Sequence, residues 1–156
     1  MTLAANEPTD QRQVSELPSF MRETRAAVNA FLGTGSTGNV GVTDLILAPG
    51  VTSLSVGTDL GDYGFEVVKV TGTGVSTLLT ILGGVEGQVK IFVFQDANVR
   101  LTDGAKAAGA FYLNQLPALS NFNPQQDDVL ALVNIDGDGA SVYGYWKELY
   151  RALSIK

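Results

Sequence analysis

Short runs of apolar residues broken by turn-forming residues fill most of this chain, and the last long stretch, residues 127–151, reads DDVLALVNIDGDGASVYGYWKELYR. Two apolar runs, Val129 to Ile135 and Ala140 to Tyr150, flank Asp136-Gly137-Asp138-Gly139. Asp-Gly between such runs predicts a β-hairpin. In the first run Val129, Ala131, Val133 and Ile135 point one way and Leu130 and Leu132 the other, because side chains alternate along a strand. In the second, Val142, Gly144, Trp146 and Tyr150 alternate with Tyr143, Tyr145 and Leu149. Neither face is plainly polar. A sheet with two apolar faces needs two coverings: one from the subunit's own second sheet, the other from a second copy of the chain.

Upstream, the same pattern recurs in shorter units. Val40 to Leu47, Val51 to Val56, Tyr63 to Val70, Ser76 to Leu82, Gln88 to Phe94, Asn98 to Leu101 and Gly109 to Leu113 read as strands separated by Gly-rich turns. No internal repeat of fixed period stands out. Phe92 and Phe94 alternate with Val89, Ile91 and Val93, which predicts a central strand apolar on both faces. The small-residue segment TDGAKAAGA, 102–110, reads as a loop or as a close backbone approach near a symmetry axis.

The first part of the chain differs. Residues 1–14 are polar, contain Pro8 and show no hydrophobic period, which predicts an extended arm. From Ser15 onward Phe20, Thr24, Ala27, Val28 and Phe31 share one helical face, with Ser15 or Ser19 as cap and Gly33 as stop. One short helix over 18–32 is expected, and GTGSTG at 33–38 reads as a linker. The expected organisation is therefore residues 1–38 as arm, helix and linker, and residues 39–156 as a mainly β domain. Its expected architecture is an antiparallel β-sandwich of jelly-roll type, assembled as a trimer.

Composition narrows the chemistry. The 156 residues include 18 glycines, 45% hydrophobic and only 17% charged residues, against roughly 25% charged in ordinary soluble domains. A net charge of −6 and ten scattered basic residues argue against nucleic acid as a partner. With no cysteine and no histidine, thiol nucleophiles, Ser-His catalysis and Cys/His zinc sites are excluded. No apolar run reaches the roughly 20 residues of a membrane helix, and the first residues lack a signal-peptide pattern. No membrane partner is expected, and synthesis in a soluble, reducing compartment is.

Carboxylates remain as candidate catalysts or ligands. Asp136-Gly137-Asp138-Gly139 has part of a calcium-loop pattern, but the twelfth position from Asp136 is Lys147 rather than Glu, so a turn is the preferred reading. A weak ion among Asp127, Asp128, Asp136 and Asp138 is the alternative. Asp59, Asp62 and Glu66 are spaced closely enough to be weighed as a glycosidase pair, yet TDLGDYGFE has the residues that turns require. Neither enzymatic activity nor a cofactor is expected. The aromatics Tyr143, Tyr145, Trp146 and Tyr150 suit either core and interface packing or stacking on sugar rings.

Two segments bear a resemblance. NEPTDQRQVSELPSFMRETRAAVNAF resembles the amino-terminal segment of small tailed-phage virion proteins. ILGGVEGQVKIFVFQDANVRLTDG together with DDVLALVNIDGDGASVYGYWKELYR, ending on Trp146, Glu148 and Arg151, resembles the β-domain of phage head-decoration (cement), head-fibre and tail-fibre proteins. The resemblance implies a homotrimer on the capsid exterior, made in the host cytoplasm, whose partner is the phage major capsid protein. Capsid contact would fall to Pro8, Asp10, Val14, Leu17, Phe20, Arg22 and Arg25. Trimer interface or core would fall to Phe92, Phe94, Leu130, Leu132, Tyr143, Tyr145 and Trp146. The alternative is a head-fibre or tail-fibre element that adheres to host surface glycans through Tyr143, Tyr145 or Trp146. Residues 40–74 match no pattern of this kind.

Overall fold

The computed structural model describes residues 40–104, 106–114 and 121–154. The arm and helix expected over 1–38 lie outside the described residues, as do the seven candidate capsid contacts from Pro8 to Arg25. The described part is all β, with eleven strands: β1 (Val40–Leu47), β2 (Ser53–Ser55), β3 (Phe65–Gly72), β4 (Ser76–Leu78), β5 (Thr80–Leu82), β6 (Val89–Phe94), β7 (Val99–Thr102), β8 (Phe111–Tyr112), β9 (Asn121–Phe122), β10 (Val129–Gly137) and β11 (Tyr143–Ala152).

The strands pair differently from the antiparallel sandwich that the sequence pattern predicts. β1 pairs parallel with β3, and β3 parallel with β6; β2 pairs parallel with β5, and β4 with β7. The chain therefore winds in coils, each laying a strand beside its equivalent in the coil before. Val40 aligns with Phe65 and Phe65 with Val89, so a coil takes 25 and then 24 residues, whereas Ser53 to Thr80 takes 27 and Ser76 to Val99 takes 23. These unequal lengths are why no fixed repeat shows in the sequence. Apolar residues on both faces of a strand suit parallel pairing, but β10, also apolar on both faces, pairs antiparallel with both its neighbours.

Antiparallel strands close the last coil. β10 runs antiparallel to β6 and to β11, and β9 antiparallel to β7, while two-residue β8 adds parallel to β11. The principal sheet has six strands in the order β1-β3-β6-β10-β11-β8. The expected hairpin is present as β10 and β11, but its strands run to Gly137 and resume at Tyr143, so the turn spans 138–142 rather than one Asp-Gly pair.

Inside the coils the core is continuous. Leu45, Leu47, Val68, Val70, Phe92, Phe94, Leu130, Leu132 and Trp146 from the principal sheet meet Leu54, Leu78, Ile81, Val99 and Leu101 from the shorter sheets. Phe92 and Phe94 stack with ring centres 6.3 Å apart, and Phe122 meets Phe94 edge-on at 6.0 Å. Trp146 is fully buried, and its indole Nε1 donates to the Ile81 carbonyl at 2.9 Å, which satisfies the one polar atom of the ring. Gly84 is required beside it: a Cβ there would stand 2.7 Å from the indole Cζ2.

Among the described residues, two charged side chains with no exposure share this interior. Glu66 on β3 and Lys90 on β6 are register partners on the inner face, both with 0% exposure. Lys90 Nζ donates to Glu66 Oε2 at 2.5 Å, to Gly61 O at 2.7 Å and to Tyr63 O at 3.3 Å. Glu66 Oε1 accepts from the Gly61 amide at 2.8 Å and from the Thr43 hydroxyl of β1. All three ammonium donors are used, as a buried charge requires.

Candidate functional site

The outer face of the principal sheet is apolar across adjoining strands. Register places Val42, Val67, Ile91, Ala131 and Tyr150 in one row over β1, β3, β6, β10 and β11. The row beside it runs Val40, Phe65, Val89, Val133, Lys147. Alternation along each strand turns these side chains away from the core that Val68, Phe92 and Leu130 fill. Val42 is 64% exposed, Ile46 on the same strand 69% and Tyr150 61%. Asp44 and Lys69 supply charge on the third row, 3.9 Å apart and both exposed. The two-faced apolar pattern of the sequence thus has one face inside the coils and an outer face that is exposed at Val40, Val42, Ile46 and Tyr150 and buried at Val89 and Ala131.

The residues expected at a trimer interface or core divide between these faces. Phe92, Phe94, Leu130, Leu132 and Trp146 are in the subunit core. Tyr143 and Tyr145 are half-buried, on the side of β11 away from Trp146. Burial removes Trp146 from sugar stacking. Tyr150 does not share its face as simple alternation predicts, because Ala131 pairs with Tyr150 and the next residue, Leu132, with Glu148. Leu149 is the extra residue of a β-bulge, and a bulge reverses which side chains turn inward beyond it.

A groove of about 500 Å³ opens at the turn end of β11. Lys106, Ala107 and Ala108 form one wall, Ser141 and Val142 of the hairpin turn the other, and Asp136, Tyr143, Gly144 and Tyr145 complete the lining. Tyr112 of β8 meets Tyr145 edge-on, with ring centres 6.0 Å apart and planes at 84°. Lys106 Nζ lies 5.3 Å from the Tyr112 ring centre and 5.6 Å from that of Tyr145, within cation–π range. Lys147 Nζ lies 4.7 Å from the Tyr112 ring centre.

Both walls are held by backbone hydrogen bonds. The Gly109 amide donates to Gly144 O at 2.7 Å, and the Ile81 amide donates to Gly109 O at 2.8 Å. Gly109 has φ 70°, and a Cβ there would stand 2.7 Å from Ile81 O, so this loop needs glycine. The small-residue segment makes its close backbone approach within the subunit. On the other wall, Asp138 Oδ1 accepts from the amides of Ala140, Ser141 and Val142, each at 2.8 Å, and Oδ2 accepts from the Ser141 hydroxyl. The Ala140 and Val142 amides, with Ser141, hold the Asp138 carboxyl far below the usual carboxylate range.

Beyond the groove, Glu148 and Arg151, which sequence reading places in the closing motif, form an ion pair. Arg151 donates to both Glu148 oxygens, from Nε at 2.6 Å and from Nη2 at 2.5 Å, and its guanidinium lies 4.5 Å from the Phe122 ring centre. Burial pushes the Glu148 carboxyl up, but Arg151 and the Asn114 amide outweigh it and hold the group below its ordinary value. The Glu148 carboxylate in turn raises Arg151.

The carboxylates weighed as catalysts do not form a pair. Glu66 is inside, bound to Lys90; Asp59 accepts from the Ser55 amide at 2.8 Å, and Asp62 from Gln88 Nε2 at 3.2 Å. Of those weighed as ion ligands, Asp128 and Asp138 serve the backbone, and Asp136 lines the groove. Asp128 accepts from the Gln125 amide at 2.8 Å and the Ser154 amide at 2.6 Å, and Asp138 is engaged as above. Among the described residues no three acidic side chains converge.

Sequence reading gave no role to Lys106 of the groove or to Tyr112 beside it, and weighed Asp136 only as a turn residue or weak-ion ligand. The aromatic-rich ending signalled Tyr143 and Tyr145, but Tyr112 reaches Tyr145 only through the parallel pairing of β8 with β11. Comparison with protein-family models, curated proteins and solved structures finds no match to this chain.

Proposed function

We propose that this chain is a structural protein of a tailed-phage virion, a capsid decoration or cement protein. In this reading it binds the major capsid protein lattice as a homotrimer and stabilises the head. The observation that carries it is the outer face of the principal sheet, where Val42, Val67, Ile91 and Ala131 form an apolar row, with Val42 64% and Ile46 of the same strand 69% exposed. Soluble monomers rarely leave contiguous apolar patches larger than a few hundred Å² uncovered. A second copy covers such a face with the same chemistry, and closed symmetry then limits the assembly. The number of copies and the virion setting come from the resemblance of the opening and closing segments. In this reading residues 1–38 supply the capsid contacts, through Pro8, Asp10, Val14, Leu17, Phe20, Arg22 and Arg25. A protein that binds only the assembled shell stabilises it by mass action, without chemistry.

The test is co-sedimentation of the full chain with heads of the encoding phage assembled without it. Saturable pelleting with heads, absent with unassembled capsid protein, is the expected result. Failure to pellet with heads would contradict decoration.

A further inference from the structure

We infer that the groove between the Lys106–Ala108 loop and the hairpin turn binds an uncharged pyranose unit of a glycan. Its volume, about 500 Å³, lies within the roughly 300–1,000 Å³ of small-molecule sites. The lining residues include two tyrosines, Tyr143 and Tyr145, together with Lys106, Asp136 and Ser141. A pyranose ring presents a patch of C–H groups that packs on an aromatic face, and a rim of hydroxyls that both donate and accept hydrogen bonds. Asp136 accepts from such hydroxyls, and Lys106 donates to them. One ammonium and one carboxylate leave the lining without net charge, which favours an uncharged sugar over a sugar acid.

The groove is also built in advance of any ligand. Asp138 fixes the turn wall with four hydrogen bonds, and the Gly109 amide bonded to Gly144 O fixes the loop wall. Tyr112 holds Tyr145 edge-on, and Lys106 is kept beside both rings. Little ordering is then required on binding, which is how a weakly hydrophobic ligand gains affinity. The site is independent of the decoration reading, since a decorating trimer and a fibre tip are both able to carry it.

Saturation-transfer NMR on the full chain tests this, with lactose, maltose and cellobiose as uncharged probes and glucuronic acid as the charged one. Transfer to ring protons of at least one disaccharide is expected, with none to glucuronic acid. Tyr145→Ala should weaken that binding tenfold or more. Ala108 is exposed, so Ala108→Trp fills the groove from its wall without entering the core and should do the same in a protein of unchanged circular dichroism. No transfer to any disaccharide, stronger transfer to glucuronic acid, or undiminished binding by the Ala108→Trp protein would overturn the assignment. None of these outcomes depends on whether the protein binds heads.

Discussion

Lys90 Nζ lies 2.5 Å from Glu66 Oε2 in the interior of the coils, with both side chains at 0% exposure. The pair ties β3 to β6, and Glu66 extends it to β1 through the Thr43 hydroxyl. Burying two charges costs several kcal/mol each, and only their attraction and complete hydrogen bonding offset that cost. Removing one partner therefore leaves the other as an uncompensated buried charge. Lys90→Met and Glu66→Leu should each destabilise the fold by about 3–5 kcal/mol, and the double variant should be much less harmful than the two effects added. Urea denaturation of the three variants measures this, and additive losses would mean that the pair does not act as a unit.

Trp146 and Gly84 occupy one packing site. Trp146→Ala removes a fully buried ring and orphans the Ile81 carbonyl, so a loss of about 3–5 kcal/mol is expected. Gly84→Ala places a methyl where the indole stands and should cost about 1–3 kcal/mol by overpacking. Thermal unfolding of both proteins checks the contact, and a neutral Trp146→Ala protein would put the ring at the surface.

The Asp138 turn predicts a pH dependence. Its carboxyl is depressed in the folded protein relative to about 3.9 in an unfolded chain. A depressed folded value means that the unfolded state binds the proton more tightly, so the contribution is complete above about pH 5 and is lost as pH falls towards the folded value. Glu148, also held low, acts in the same direction. Melting temperature should fall between pH 5 and pH 2, and Asp138→Asn should flatten part of that fall. An unchanged profile in the variant would show that the turn contributes no pH-dependent stability.

Much of the local structure is legible in the sequence, while the pairing is not. Val40 to Leu47 forms the strand that an apolar run bounded by turn residues predicts, and Asp-Gly marks the β10–β11 hairpin. Parallel winding is hidden, because Val89 to Phe94 is apolar on both faces whether its neighbours run parallel or antiparallel. The uneven coils, 25 residues from Val40 to Phe65 but 23 from Ser76 to Val99, also erase any fixed period. Nothing in VKIFVF marks Lys90 as buried, since its partner Glu66 is set beside it only by parallel register. The bulge at Leu149 changes which of Trp146 and Tyr150 is buried, and nothing in KELYR announces it. The groove depends on the same unreadable pairing, since β8 carries Tyr112 to Tyr145.

The proposed assembly joins copies of the chain through the outer face of the principal sheet. Native mass spectrometry at micromolar concentration tests it most directly, with the unaltered protein beside Val42→Asp and Ile91→Asp. A trimer for the unaltered chain, and monomers of unchanged circular dichroism for the variants, is the predicted result. A stable monomer of the unaltered chain, or trimers that persist with aspartate in the middle of that face, would contradict it.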